Sequence, residues 1–325
     1  MTATVPEARS AARAEAQPAA APVGESGGGP AAPVPADGPR GGSAAPVPAG
    51  ESGGGPAAPA PRTLPPIGRV RRFARLLAAE RIKLASTRSP WWCAVVAVAL
   101  LAGPTALVAA VHEPGDGPLW TAIGGIGALP MMVVAVLAVL AATGEYRFGT
   151  VRTTFLAAPD RTSVLLAKTV VVAAASATIG LVAAFLAWGA ARLLAPQADL
   201  ALATGAHWRA VAGVALVYAV VAVFGVGTGV LLRHGGGALT VLLLLMTVGE
   251  GVVSVLPEVG PVATPWLPFT NLTRFLTVGV VEPNPARSFF GERELFGPWP
   301  ALGYAAVVAL AVLALAVIVA RRRDA

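Results

Sequence analysis

The chain has 325 residues, a mean hydropathy of +0.70 and only 13% charged residues, which excludes an ordinary soluble domain and predicts an integral membrane protein. Its net charge of +7 does not indicate nucleic-acid binding, because most basic residues flank apolar segments, as they do in positively charged cytoplasmic loops. The single cysteine, Cys93, permits no intrachain disulfide, and no pattern indicates a metal or redox site.

Residues 1–66 are rich in Ala, Pro, Gly and Ser, and the decamer GESGGGPAAP occurs in them twice, at 24–33 and 50–59. Such a composition cannot bury enough apolar surface to offset the entropy lost when the chain is ordered. We therefore predict a disordered cytoplasmic tail, which serves as a spacer more readily than as a binding segment.

Residues 67–88, IGRVRRFARLLAAERIKLASTR, are strongly basic. A helical wheel separates an apolar face from a basic face. The apolar face comprises Val70, Phe73, Ala74, Leu77 and Leu84, the basic face comprises Arg71, Arg72, Arg75 and Lys83, and Leu76 and Ile82 depart from the pattern. The pattern predicts an amphipathic interfacial helix on the inner leaflet, while a charge cluster that only orients the first span remains the alternative.

Residues 89–325 contain six apolar segments, each long enough to cross a hydrocarbon layer of about 30 Å as a helix of about 20 residues. They lie at approximately 91–111, 121–142, 164–188, 210–232, 236–256 and 301–320. None alternates as a strand would, and backbone groups in lipid must be hydrogen-bonded within their own segment. We therefore predict an all-α integral membrane protein with six transmembrane helices.

Basic residues are distributed unequally between the two ends of these predicted spans. Sixteen fall on one side, in 62–88, 144–168 and 321–323 and at Arg233, whereas five fall on the other side together with seven acidic residues. The rule that positively charged loops stay inside places both termini in the cytosol. We expect a multi-pass protein of the bacterial cytoplasmic membrane, in contact with membrane lipids.

The segment at 144–168, GEYRFGTVRTTFLAAPDRTSVLLAK, is polar and basic although it connects two apolar spans. Gly149 permits a turn, and Thr150 can accept an amide hydrogen bond as an N-cap. Pro159 cannot continue a helix. These residues predict a short helix that ends at Ala158.

The same segment carries side chains suited to contact with another protein. Phe155 and Leu156 are the apolar side chains of the short helix that can contact a partner. Asp160 or Thr162 can cap the span that follows. The charged candidates for contact are Glu145, Arg147, Arg152, Arg161 and Lys168. The arginines would face an acidic surface of a partner, unless they serve only to satisfy the topology rule.

Several catalytic and nucleotide-binding motifs are absent from the sequence. It has no G-x-x-x-x-G-K-[ST] phosphate loop, no G-x-S-x-G turn and no H-E-x-x-H metal pair. The three histidines, His112, His207 and His234, are isolated near predicted membrane surfaces. We therefore expect no enzymatic activity, no metal and no cofactor in this chain, so that any ATP must be bound by a partner.

The six-span layout and residues 144–168 resemble the permease subunits of type-2 ATP-binding-cassette exporters, particularly the actinobacterial ones. The resemblance extends from about residue 67 to the C-terminus. It rests on Glu145-Tyr146-Arg147, Gly149-Thr150, Arg152, Leu156-Ala157-Ala158-Pro159, Arg161 and Leu165-Leu166-Ala167-Lys168, and on Glu80-Arg81-Ile82-Lys83-Leu84 before the first span. It identifies the permease superfamily rather than a transported substrate.

The resemblance implies that the loop between spans two and three carries a coupling helix, from Gly149 to Pro159, which docks into a groove on a separate ATPase subunit. It also implies a homodimer, or a heterodimer with a related permease, that exports a solute by alternating access when ATP binds to the ATPase subunits. The alternative is a six-span scaffold or sensor that holds a cytosolic protein and transports nothing.

Glu250 is the one strongly ionisable residue deep in a predicted span, and it lies between Gly249 and Gly251. A charged side chain inside a membrane costs about 2.5–3.5 kcal/mol to insert and usually faces a cavity or a partner. One interpretation is a residue that lines the translocation path. The other is a carboxylate at a helix break, solvated from outside or paired with Arg274 or another base of the outer loop.

Overall fold

The computed structural model of the protein describes residues 68–114, 116, 118–120, 127–147, 160–281 and 295–322. All regular structure in these residues is helical, and no strand occurs among them. The helices are α1 (Arg69–Ser86), α2 (Arg88–Ala110), α3 (Ala128–Arg147), α4 (Arg161–Leu194), α5 (Gly205–Ala212), α6 (Val214–Leu232), α7 (Gly235–Leu244), α8 (Glu250–Val255), α9 (Gly260–Ala263), α10 (Pro268–Thr277) and α11 (Pro298–Arg322).

Six helical segments of the described residues are long and apolar enough to cross a membrane. They are Arg88–Ala110, Leu129–Tyr146, Arg161–Leu194, Val214–Leu232, Gly235–Val255 and Pro298–Arg322. The prediction of an all-helical protein with six spans is thereby confirmed by length and composition. The segment predicted as an amphipathic helix is indeed helical, as α1, whereas the predicted tail at 1–66 lies outside the described residues.

Helix α6 lies at the centre of the bundle and packs against α3, α4, α7 and α11. Gly225 and Gly229, one turn apart on α6, face Ala138 and Ala142 of α3. A Cβ at Gly225 would lie 2.5 Å from the Cβ of Ala138, and a Cβ at Gly229 would lie 2.9 Å from that of Ala142. Glycine is therefore required for this close approach, which is how small residues pack membrane helices together.

The fourth span begins later than predicted because a separate helix, α5, precedes it. Gly213 lies between α5 and α6, and a Cβ there would be 2.2 Å from the carbonyl oxygen of Arg209 and 2.7 Å from Cε1 of Phe275. The predicted single helix from about residue 210 is thus divided at a glycine that lets Phe275 of α10 approach the backbone.

Side-chain contacts group the helix ends into two sets. At one end of the bundle, Nε of Arg321 in α11 donates to Oγ1 of Thr162 in α4 at 2.8 Å. At the opposite end, Nε2 of Gln197 donates to the carbonyl oxygen of His112 at 3.0 Å. The first end, called the basic end below, contains the start of α4 and the end of α11. The distribution of basic residues in the sequence predicts that these two helix ends lie on the same side of the membrane.

Candidate functional site

Four charged side chains at the basic end form a closed network, called the ion cluster below: Glu80 and Lys83 of α1, Glu145 of α3 and Lys168 of α4. Nζ of Lys168 lies 2.6 Å from Oε2 of Glu80 and 3.0 Å from Oε1 of Glu145. Nζ of Lys83 lies 2.9 Å from Oε1 of Glu80 and 2.9 Å from Oε1 of Glu145. Each lysine therefore bridges both carboxylates.

Burial differs strongly among the members of the ion cluster. The side chains of Lys168 and Glu80 are each 7% exposed, whereas that of Lys83 is 46% exposed. Taking charges out of water is costly, and their attraction offsets that cost only when the geometry is good and every charge keeps a partner. Lys168 is the buried cation of the network, so its loss would leave two carboxylates without their main partner.

Lys83 lies in α1, outside the candidate spans, and its pKa is raised above the ordinary value. Partial burial acts to lower this pKa, but the hydrogen bonds to Glu80 and Glu145, together with the charges of these two carboxylates, outweigh the burial. Lys83 is therefore fully protonated at neutral pH, and it completes the ion cluster from the exposed side.

Glu80 reaches Lys168 because it lies on the face of α1 that packs against α4. Leu77 and Leu84, one turn before and one turn after it, are half-buried on the same face. The predicted apolar face omitted Glu80 and included Val70, which is 83% exposed. An acidic residue at helical spacing between two leucines was the signal that could have identified the inward-facing carboxylate.

The segment that connects α3 to α4 is shorter than the predicted loop at 144–168. Residues 144–147 form the end of α3, and the residues from Arg161 onward belong to α4. Only 148–159 and the capping residue Asp160 therefore lie between the two helices.

The predicted contact residues of this segment fall into two groups. Glu145 and Lys168 belong to the ion cluster, and Nη1 of Arg161 donates to the carbonyl oxygen of Ala320 at 3.5 Å. The others, which lie outside the described residues, are the side chain of Arg147 and the residues Gly149, Thr150, Arg152, Phe155, Leu156 and Pro159. The coupling helix itself therefore remains a prediction.

Asp160 is the N-cap of α4, which confirms one of the two caps expected there. Its Oδ1 accepts hydrogen bonds from the backbone N–H groups of Thr162 and Ser163 at 3.2 and 3.4 Å. The hydroxyl of Ser163 donates to Oδ2. That hydroxyl contact lowers the pKa of Asp160 most. Desolvation opposes the lowering, and the two backbone hydrogen bonds add to it, so the pKa is lowered overall.

An open cavity of about 1090 Å³ lies beside the ion cluster, and all four cluster residues line it. Its remaining walls are largely apolar and come mainly from α3, α4 and α7. Representative wall residues are Leu137, Leu140, Val171, Val172 and Leu239. The cavity is therefore amphipathic, with charges at the basic end and aliphatic side chains nearer the middle of the spans.

Arg233 and His234 form the tight turn between α6 and α7 at the rim of this cavity. Arg233 adopts a left-handed conformation with φ of 54°, and its Cζ lies 5.7 Å from the ring centroid of Tyr146. Within the described part of the chain, its buried Nε has no hydrogen-bond partner. His234 caps α7, because its Nδ1 accepts from the N–H of Gly237 at 3.0 Å.

Glu250 is 5% exposed and caps helix α10 from α8. Its Oε1 accepts from the N–H of Phe269 at 2.8 Å, and its Oε2 accepts from the N–H and the hydroxyl of Thr270 at 2.6 and 2.8 Å. A carboxylate at this position complements the positive end of the helix dipole. A π-helical turn, Leu245–Gly249, immediately precedes Glu250. A role of Glu250 in a translocation path remains a prediction.

The opposite end of α10 is held by Arg209 of α5. Nε of Arg209 donates to the carbonyl oxygen of Phe275 at 2.6 Å, and its Nη2 donates to that of Val278. A cation is favourable at a helix C-terminus. Helix α10 is thus bracketed by Glu250 and Arg209, each at the end where the dipole favours its charge.

In the parts of the chain that the structure describes, no group of three or more His, Cys, Asp or Glu side chains could hold a metal ion. Comparison with protein-family models and with curated proteins finds no match to this chain. The function must therefore be argued from the arrangement at the basic end.

Proposed function

We propose that this protein is the membrane-spanning permease subunit of an ATP-driven exporter, with the basic end in the cytosol. Two such subunits, identical or related, would flank the path of a solute across the cytoplasmic membrane. Separate ATPase subunits would bind ATP and dock on the segment at 148–159. This chain would contribute the path and the mechanical response, and no covalent chemistry.

The ion cluster is the observation that supports this proposal best. Glu145 and Lys168 lie on the two sides of the connecting segment at 148–159, and they contact each other at 3.0 Å. Glu80 joins both helices to α1 through Lys168. A force that a docked protein exerts on the segment would therefore reach α1, α3 and α4 together, which is what a coupling element requires.

The distribution of charge supports a cytosolic position of the basic end. Arg71, Arg72 and Arg75 of α1 are exposed, and the exposed Val70 lies on the same helix. Such a helix suits the surface of a leaflet that contains anionic lipids. Arg147 and Arg152 add positive charge near the proposed docking segment.

The test is affinity purification of the full-length chain from its native membrane in a mild detergent, followed by mass spectrometry of the retained proteins. We expect a protein with a phosphate-loop motif at about one copy per chain, and ATP hydrolysis by the complex. The double replacement Arg147→Glu and Arg152→Glu is expected to release this ATPase without affecting membrane insertion, because it reverses the charge within the docking segment and at the residue immediately before it.

The matched control is Arg71→Glu with Arg72→Glu, which makes the same change of charge on α1 and should leave the ATPase bound. Absence of any phosphate-loop protein from the wild-type complex would contradict the proposal, and so would its unchanged retention by the Arg147/Arg152 variant. A retained cytosolic protein without a phosphate loop would favour the scaffold or sensor instead.

A further inference from the structure

We propose that the cavity at the basic end binds an anionic phospholipid, with the phosphate at Arg233 and one acyl chain along the apolar walls. The proposal is independent of the transport function, because it requires only that the six spans lie in a membrane. It follows from the shape of the cavity, from the distribution of polar and apolar groups in it, and from the charge at its rim.

The cavity has the size and polarity of a site for an amphiphile. Its volume of about 1090 Å³ is slightly above the range for ligand pockets, which is about 300–1,000 Å³. The apolar wall of α3 begins at Leu137 and the charged part ends at Glu145, a distance of about 12 Å along the helix axis. A head group would therefore lie at the end of the spans, and a chain would lie at membrane depth.

The charges that line the cavity favour an anionic head group. The described lining residues include three cations, Lys83, Lys168 and Arg233, and two carboxylates, so the net charge is +1 with His234 neutral. The two lysines are already paired within the ion cluster. Among the described residues no carboxylate forms an ion pair with Arg233, so this guanidinium is the cation available to a ligand.

Arg233 also has an unmet hydrogen-bonding requirement. Its Nε is buried and makes no hydrogen bond within the described residues. A buried donor without an acceptor is costly. Because this Nε has almost no accessible surface, a phosphate in the cavity would first be attracted by the charge of the guanidinium, and a shift of the side chain would then let Nε donate a charge-assisted hydrogen bond. The ring of Tyr146, whose centroid is 5.7 Å from Cζ of Arg233, lies beside the guanidinium.

The turn between α6 and α7 also favours an anionic head group, although it would not be sufficient evidence by itself. Gly235 and Gly236, the first residues of α7, line the cavity beside Arg233. The first N–H groups of a helix and the positive end of its dipole favour a phosphate. A zwitterionic head group would bring its own cation to a site that already has a positive charge, so a net-anionic phospholipid should bind more tightly.

Native mass spectrometry of the purified full-length chain tests this proposal without any substitution. The probe is phosphatidylglycerol, the control is phosphatidylcholine with the same acyl chains, and glycerol 3-phosphate represents the head group alone. We expect one phosphatidylglycerol per chain under conditions in which the other two compounds do not bind. Equal binding of phosphatidylcholine would overturn the assignment of charge, and equal binding of glycerol 3-phosphate would overturn the assignment to a lipid.

Two variants locate the site. Arg233→Gln should weaken the binding of phosphatidylglycerol about tenfold, because it removes the unpaired cation. Ala141→Phe should abolish binding, because Ala141 lines the apolar part and the larger ring would occupy it. Arg322→Gln is the matched control, since Arg322 is exposed and is not among the residues that line the cavity.

Lipid binding is compared only for variant protein that elutes from size-exclusion chromatography at the same volume as the wild type. Misfolded protein is thereby excluded from the comparison. Unchanged lipid occupancy in both Arg233→Gln and Ala141→Phe would overturn the proposal. An equal loss in Arg322→Gln would also overturn it, because binding would then reflect general attraction to a basic surface.

Discussion

Lys168 on α4 and Glu80 on α1 are 88 positions apart in the chain, yet Nζ of the lysine lies 2.6 Å from Oε2 of the glutamate. Both side chains are 7% exposed, so this pair is the buried part of the ion cluster. It fixes α1 to the third span beside the connecting segment at 148–159. The mechanical part of the proposed function depends on this connection.

Removal of the buried cation should destabilise the protein far more than removal of the exposed one. Lys168→Met is expected to lower the free energy of unfolding by about 3–5 kcal/mol, because Glu80 and Glu145 would lose their buried partner. Lys83→Met, the matched control, is expected to cost less than about 1 kcal/mol, since Lys83 is half-exposed. Thermal unfolding of both variants in the same detergent measures the difference.

Glu80→Gln added to Lys168→Met should recover part of the lost stability, because one unpaired buried charge is then removed. If Lys168→Met and Lys83→Met shift the melting temperature equally, the ion cluster does not have the buried core that its geometry indicates.

Loss of Glu250 should loosen the start of α10. Glu250→Ala removes the acceptor of three hydrogen bonds and is expected to cost about 1.5–3 kcal/mol. Glu250→Gln should cost less, because an amide oxygen can still accept. Hydrogen exchange of a peptide that spans Pro268–Thr277 measures the effect, with Glu258→Ala as the control at an exposed acidic residue.

The same pair of variants separates capping from a role in a translocation path. If Glu250 acts only as the cap of α10, transport by Glu250→Gln should remain close to that of the wild type. A large loss of transport by Glu250→Gln with unchanged exchange in α10 would contradict a role limited to capping and would favour a residue that lines the path.

The cap of α4 should give a distinct dependence on pH. Asp160→Ala is expected to cost about 1 kcal/mol at neutral pH, whereas Asp160→Asn keeps an acceptor for the backbone N–H groups. The folded pKa of Asp160 is lowered. The charged cap therefore contributes fully above the ordinary aspartate pKa of about 3.9 and is lost as the pH falls through the lower folded value.

Melting temperatures of the wild type and Asp160→Asn, measured from pH 7 down to pH 3, check this expectation. The advantage of the wild type should shrink as the pH approaches the lowered pKa. An advantage that stays constant over the whole range would show that the carboxylate charge at Asp160 has no part in capping.

The sequence predicted the parts of the fold that depend on local composition. Long runs of Ala, Val and Leu are enough to identify the six spans, because lipid requires helices of a minimum length. Asp160 as a cap was also predictable, since an acceptor before a helix satisfies orphan N–H groups two or three residues away. The start of α4 was missed by hydropathy alone because its first residues are polar.

Long-range pairs could not be predicted in the same way. Glu80 and Lys168 are distant in sequence, and the arginine that holds α10, Arg209, is 66 positions from its acceptor Phe275. The charge or hydropathy of one residue does not identify the distant residue that it contacts. The acceptor role of Glu250 was equally hidden, because its observed partners include the backbone N–H groups of Phe269 and Thr270, a kind of group that nearly every residue carries.

Site-specific photocrosslinking can show directly whether the segment at 148–159 docks an ATPase, as we propose. A photoreactive phenylalanine analogue replaces Phe155 in one sample and Trp299, which is exposed at the opposite end, in the control. We expect an adduct between position 155 and a phosphate-loop ATPase, and no such adduct from position 299. An intact complex that gives no ATPase adduct at position 155 would contradict the proposal.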